Sequence, residues 1–377
     1  MIKSMISALL VGALALGTQL VAAESAELTA AAAGANKAVE FLSKQQNDNG
    51  TFGKSTAVTA PGMVGLVLKA LASSPGKPRE SNAVVGKAAK YLLGMQQPSG
   101  AIVDPKLGLE NYNTSIAVIA LAALENPEYK PALEKAKKFI LTCQLDEETG
   151  FKPDEHMRAY GGFSYGSIKR ADISNSGFSM EALNALGLEK DSPAWKNAVK
   201  FLKRSQDNDE TNDSPEMKGG DNTGGFVYYP SKSEFGNVTT KSGKQLPKPY
   251  GNMTYMAVKS LIYAGVKKDD PSMQAAFKWI KNNYSVDHQP GANGTVGYFY
   301  YSNVMAKAFT AAGIKELELT DGKKANWAKD LSEQLMKLQK PDGSFANEAQ
   351  RWMENDAVLA TSYALDALNL CVEELKK

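Results

Sequence analysis

Three tyrosine-rich segments stand close together in the second half of the chain: GGFVYYP at 224–230, PYGNMTYM at 249–256 and GYFYYSN at 297–303. A phenol ring has an electron-rich face, so a wall made from Tyr228, Tyr229, Tyr250, Tyr255, Tyr298 and Tyr301 could hold an apolar chain, sit under a cation or stack on a sugar. Asn303 closes the third segment, and Trp352, Glu354 and Asp356 form another aromatic and acidic group ahead of the last apolar run. Upstream, Asp172 and Asn175 stand at the start of DISNSGFSM. Acids and amides so placed could supply a proton or fix a polar head group. The plainer alternative is that the tyrosines pack and the acids cap helices, and for any one residue alone that reading is preferred. The clustering of three segments in succession is what argues for a ligand-binding wall.

A repeated helical phrase supplies the scaffold. Ala38-x-x-Phe41-Leu42 recurs as Ala88-x-x-Tyr91-Leu92, Ala136-x-x-Phe139-Ile140, Ala198-x-x-Phe201-Leu202 and Ala276-x-x-Trp279-Ile280. Spacings of three and four put these residues on one helix face. A sixth copy, from Leu331 to Leu338, keeps the apolar face but has Gln334 where the aromatic belongs. Most copies end in a Gln followed by a turn, as in LSKQQNDNGTF, LLGMQQPSGAI, ILTCQLDEETGF and LQKPDGSF, so Gly50, Gly100, Gly150 and Gly343 read as equivalent turn glycines. A second, Ala- and Leu-rich helix follows each turn. A hydroxyl residue stands seven positions before a large apolar one in Thr114/Leu121, Ser176/Leu183, Thr254/Leu261, Ser302/Phe309 and Thr361/Leu368, and each reads as an N-cap; the first copy has Pro61 instead.

Amphipathic helices paired with helices apolar nearly all round predict six outer–inner pairs stacked neighbour to neighbour. The expected fold is an all-α toroid of six helix pairs, closed around a cavity lined by the inner helices, in one domain spanning residues 24–377. Loops into the inner helices converge at one rim, where free N–H groups gather. Those loops carry the candidate residues named above, with Asp221 and Tyr300.

At the N-terminus, Lys3, a short apolar run and the small residues Ala22 and Ala23 read as a signal peptide over residues 1–23, so the protein is expected in the periplasm or outside the cell with no stable transmembrane segment after cleavage. Cleavage removes one of 43 basic residues and none of the 41 acidic ones, leaving a near-neutral chain unsuited to nucleic acid. Cys143 and Cys371 lie in apolar helical contexts and read as buried thiols. The insertion from Ser205 to Pro249 begins Asp207-x-Asp209-x-Thr211-x-Asp213, yet Asn212 and Lys218 stand where a calcium loop needs Gly and Glu. It reads as a solvated or partly disordered acidic loop, and no metal or other cofactor is expected.

The Gln-x-x-x-Gly-x-aromatic turns at Gln46–Phe52 and Gln339–Phe345 resemble the QW turns of squalene cyclases, and YGGFSYGSIKRADISNSGFSMEALNAL at 160–186 is similar to a segment shared by terpene cyclases and protein prenyltransferases. The resemblance covers nearly the whole mature chain and implies the α/α toroid of that superfamily, in its secreted bacterial form. It does not carry the activities. The hopene-type cyclases protonate their substrate with a D-x-D-D motif, of which Asp172-Ile-Ser-Asn175 keeps only the first Asp. The prenyltransferases' zinc site needs an Asp two positions before a Cys, whereas Leu141 precedes Cys143 and Asn369 precedes Cys371. Three functions follow as expectations. The first is a non-catalytic toroid holding an apolar or aromatic-stacking ligand, or a protein partner. The second is a cyclase using Asp172 or Asp356 as its acid. The third resembles toroidal glycan lyases, with Tyr301 or Tyr255 as acid, Asn303 as carboxylate neutraliser and His156 or His288 as base.

Overall fold

The computed structural model describes residues 25–54 and 60–377, so the expected signal peptide lies outside the described residues. Among the described residues, twelve α-helices alternate between two concentric layers. The outer layer is α1 (Ala26–Lys44), α3 (Ala83–Gly94), α5 (Lys130–Thr142), α7 (Pro193–Arg204), α9 (Pro271–Asn282) and α11 (Trp327–Leu338). The inner layer is α2 (Ala60–Ala72), α4 (Glu110–Ala122), α6 (Ile173–Ala185), α8 (Gly251–Tyr263), α10 (Tyr298–Ala312) and α12 (Ala357–Leu375). Each inner helix packs on the next, and α12 packs back on α2 and α1, which closes the ring. Inner helices are buried nearly all round, α4 from Asn113 to Leu121 without a break, as a helix walled on both sides must be. Among the described residues, no helix is long and apolar enough to cross a membrane.

Outer helices start on side-chain caps such as Ser25, Asn82, Ser192 and Asp270, with proline opening α7 and α9. The inner helices depart from the expected hydroxyl caps. Thr114, Ser176, Thr254 and Thr361 lie within the helix, four or five residues from its start. Their hydroxyls accept the backbone N–H of Ile102, Phe163, Phe226 and Phe345, at 2.8, 2.9, 3.0 and 2.9 Å. The hydroxyl thus joins an inner helix to the Gln turn before it, and the N-cap residues of α4, α8 and α10 make no side-chain cap bond of their own.

The glutamines perform the complementary task toward the next pair. Gln46, Gln96, Gln144 and Gln206 donate through Nε2 to the carbonyls of Val84, Ala132, Ala194 and Ser272, each four residues before the small alanine of the following outer helix. Gln339 donates to Gly34, four residues before Ala38, at 2.8 Å. The last repeat therefore joins the first by the same bond that joins each of the first four repeats to the next, whereas α9 ends at Asn283, whose amide turns back to the Trp279 carbonyl.

One glycine assignment is corrected. Gly161, not Gly150, is the turn glycine of the third repeat. At φ +86° its α-carbon lies so close to the Asn197 carbonyl that an added Cβ would sit 1.9 Å away. Gly343 meets the Lys37 carbonyl in the same way, at 2.4 Å, whereas Gly150 has open space around it. Gln144 bridges to Phe163 across an inserted loop, and Gly150 merely ends a short 3-10 turn.

The 205–249 insertion is a built arm rather than a partly disordered loop. Asp213 holds the buried Arg204 at 2.6 and 2.8 Å, Asp207 accepts from Thr223, and the tip is a hairpin of β1 (Asn237–Thr239) and β2 (Gln245–Pro247). A second hairpin, β3 (Glu316–Glu318) and β4 (Lys324–Asn326), connects α10 to α11.

Candidate functional site

The N-terminal turns of all six inner helices surround a cavity of about 330 Å3 at one end of the ring. Its apolar wall comes from Met63 and Leu66 of α2, Met253 of α8 and Leu359 of α12, with Leu109 at the entrance to α4. Six phenols line it as well: Tyr112, Tyr165, Tyr228, Tyr250, Tyr300 and Tyr363. Phe178 lies beneath them, edge-on to Tyr112 at 5.3 Å and stacked on Tyr300 at 6.2 Å. Burial raises the Tyr112 hydroxyl to about 12 and moves the Tyr300 and Tyr363 hydroxyls upward too, so these groups stay protonated donors.

Asp172 is fully buried behind two of these phenols. Its Oδ2 accepts Tyr165 at 2.7 Å and Tyr228 at 2.8 Å, and its Oδ1 caps α6 through the Asn175 N–H at 2.8 Å. Burial pushes the carboxyl above its ordinary range, opposed by the Asn175 N–H, by the two phenols and by Arg170, 3.9 Å away. Arg170 also lies over the Tyr165 ring, 5.4 Å from its centroid, and lines the cavity mouth. Asp172 therefore orients Tyr165 and Tyr228 rather than facing the cavity itself. Asn175 is held by the Phe163 and Ser164 carbonyls and belongs to this support.

Glu354 is the other buried carboxyl at the cavity. It accepts the N–H groups of Tyr300 at 2.8 Å and Phe299 at 3.2 Å, and the Asn347 amide at 2.5 Å, so it caps α10 from a loop fifty residues away in sequence. Burial raises it from 4.5 to about 7 even though those backbone donors favour the charged form. Beside it Trp352, two-fifths exposed, and Met353 both take left-handed backbone conformations, φ +58° and +62°. Strain of this kind at non-glycine residues gathers at ligand-contacting loops. Phe235 of the inserted arm stands edge-on to Trp352 at 5.9 Å and to Tyr250 at 4.9 Å, bringing the arm over the mouth.

Of the residues expected from the sequence, Tyr228, Tyr250, Tyr300, Trp352 and Glu354 line this cavity and Asp172 supports it. The others are placed elsewhere. Asp356 caps α12 through the Val358 and Leu359 N–H groups. Tyr229 packs against Tyr228 on the outer side, 5.8 Å between rings. Tyr298 and Tyr301 donate to the Val286 and Ser285 carbonyls, and Tyr255 packs edge-on to Tyr301 and Phe309. Asn303 donates to Asp366 in the other half of the ring. The acid, neutraliser and base of the lyase-like reading are thus not assembled, since His156 accepts a loop N–H and His288 is exposed beside Ser285. The wall residues missed in the sequence, Tyr112, Tyr165 and Tyr363, carry no local mark except their place in the first turns of inner helices or the loops before them. Both thiols are free and buried, and burial raises Cys143 to about 12. Among the described residues no cluster of His, Cys, Asp and Glu could hold a metal ion.

Comparison with known proteins follows from this geometry. The model of the squalene-hopene cyclase C-terminal domain matches residues 56–231, and that of the prenyltransferase alpha-alpha toroid domain matches residues 169–376. No curated protein matches the chain. The type II terpene cyclase MstE from Scytonema, in complex with merosterolic acid A (product), has a TM-score of 0.57 at 14% identity, over 92% of this chain and 99% of that one. The same cyclase in complex with geranylgeranyl dihydroxybenzoate (substrate) has a TM-score of 0.57 at 13% identity, with the same coverage. An alpha-1,6-mannanase from Salegentibacter has a TM-score of 0.58 at 12% identity, over 92% of this chain and 99% of that chain. Likeness at such identities shows the ring and leaves chemistry to the side chains.

Proposed function

Because the chain belongs to the prenyltransferase α/α-toroid family, we propose that it is a binding toroid without the cyclase or prenyltransferase reactions. It holds one apolar, isoprenoid-like chain among Met63, Leu66, Met253 and Leu359, with a polar head at Arg170, Tyr165 and Tyr228. A cavity of about 330 Å3 stands at the low end of the range for small-ligand sites and suits roughly ten to twenty carbons. The solved cyclase relatives hold a geranylgeranyl-bearing substrate in the same fold, which supports the ligand class. Read with the expected leader, the protein acts outside the cytoplasm and takes its ligand there.

The observation that carries the non-catalytic reading is the state of the two buried acids. An acid that starts a cyclisation must aim its proton at the substrate. Both Asp172 oxygens and both Glu354 oxygens already accept hydrogen bonds, from two phenols and one N–H in the first case and two N–H groups and an amide in the second. Each acts as a helix cap and an organiser of its neighbours. The reading is tested by titrating the protein with farnesol while following tryptophan fluorescence at Trp352, then analysing the recovered ligand. Saturable quenching with farnesol recovered unchanged is expected, and Leu66→Arg should weaken binding more than tenfold. A cyclised product that disappears in Asp172→Asn would overturn the proposal and restore the cyclase.

A further inference from the structure

The opposite mouth of the ring holds a second cavity, of about 350 Å3, lined by the C-terminal halves of all six inner helices. Phe178 divides it from the phenolic cavity, with Tyr112 and Tyr300 on one side and the Lys259 ammonium 6.0 Å from its ring on the other. At one level, nine or ten residues into each helix, stand Lys69, Glu181, Lys259, Lys307 and Asp366, while α4 contributes Ile119. Lys307 bridges the two carboxylates, 2.9 Å from Glu181 and 3.3 Å from Asp366. Lys69 is 3.6 Å from Asp366, and Lys259 is 2.5 Å from Glu181.

This belt is one negative charge short. Three ammonium groups face two carboxylates, and Lys259, fully buried and lowered from its ordinary value by that burial against the pull of Glu181, has Glu181 as its single acceptor among the described residues. Burial works against both carboxylates, yet the lysines hold Glu181 down at about 2 and Asp366 below the ordinary range, so both are charged. Neighbouring charges do not supply the balance: Lys190 adds a cation at Asn184 and the Tyr263 carbonyl, and Glu374 is paired with Lys377. Helix C-termini carry partial negative charge, but cap N–H groups at Ala123, Leu186 and Ala264 already engage terminal carbonyls of α4, α6 and α8. An uncompensated cation in an apolar enclosure is costly, and an entering anion removes that cost.

We infer that this second cavity binds a small organic monoanion, its carboxylate between Lys69 and Lys307 and its apolar body against Ile119, Ala122 and Leu370. One such anion brings the belt to three charges of each sign, and the walls beyond the belt are aliphatic. The site is separate from the phenolic cavity and stands independently of the function proposed there.

The experiment is calorimetric titration at low salt with sodium octanoate, 1-octanol and inorganic phosphate. Octanoate is expected to bind at least tenfold more tightly than octanol, which lacks the charge, and than phosphate, which lacks the chain. Lys69→Met, at a side chain one-quarter exposed, should remove most of that preference while the protein melts normally. Ala122→Phe should block the cavity, with circular dichroism confirming the fold, and Arg170→Gln at the other cavity should leave the Lys69-dependent part of octanoate binding in place. Equal affinity for octanoate and octanol would overturn the inference, as would phosphate matching octanoate. So would octanoate binding that survives Lys69→Met but is lost in Arg170→Gln.

Discussion

Glu354 is the residue at the phenolic cavity whose ionisation the fold resists most plainly. Its folded value of about 7 lies above the ordinary 4.5, so the folded state holds the extra proton between these limits. Its contribution to stability is fully present below pH 4.5 and is lost as pH rises through 7, by about 3 kcal/mol for a shift of this size. Glu354→Gln cannot ionise, so the difference in unfolding free energy between native protein and variant should move against the native protein by that amount from pH 4.5 to 8. Urea melts at four pH values check this, and parallel stability curves would refute it. Any constant offset from the amide's hydrogen bonds cancels in the slope. Asp172 shows what residue-level reading misses. Its position as an acid was legible in the sequence, but its two phenol partners lie 7 and 56 residues away and only the fold brings them to it.

At the scale of the element, the repeated unit is a Gln turn joined forward by an amide and inward by a hydroxyl. The sequence showed the Gln, the Gly and the hydroxyl, but periodicity alone chose the wrong glycine in the third repeat and made caps of the hydroxyls. Gly150 sits at the expected interval by coincidence, because Gly161 stands 17 residues after Gln144, and an insertion has no signature in a spacing rule. A direct comparison follows. Gly161→Ala places a Cβ 1.9 Å from a backbone oxygen at positive φ and should cost more than about 3 kcal/mol. Gly150→Ala meets only the left-handed penalty of about 1–2 kcal/mol, since nothing crowds it. Thermal melts of the two variants decide between the glycines, and a larger loss at Gly150 would reverse the assignment.

At the scale of the whole molecule, closure is the property that matters. An open stack of repeats frays from its ends, whereas a ring has none. Gln339 to Gly34 repeats at the seam the amide bond found at four other junctions, and the Asn369 amide to the Ala70 carbonyl adds a second tie there, both at 2.8 Å. Amide exchange of α1 and α12 should therefore be as slow as that of α6, within about tenfold. Exchange at the seam a hundredfold faster would mean that the ring opens. Gln339→Ala, which leaves the Gly34 carbonyl without its donor, should cost about 1–3 kcal/mol and accelerate exchange in both terminal helices.

The sequence by itself determined the number of helix pairs, which face of each is apolar and that the inner helices are buried on both sides, because those properties are written in local spacing and residue type. It also placed aromatic and acidic residues on the loops and first turns that converge at one rim. Only the tertiary structure decided which of them share the cavity. A helix turns its residues by 100° each, so Tyr300 enters the wall while Tyr298 and Tyr301 turn away from it to bond the loop after α9. Only the ring, too, gathers Lys69, Glu181, Lys259, Lys307 and Asp366 from five helices into one belt, since charges that are far apart in sequence meet only when six inner helices share an axis.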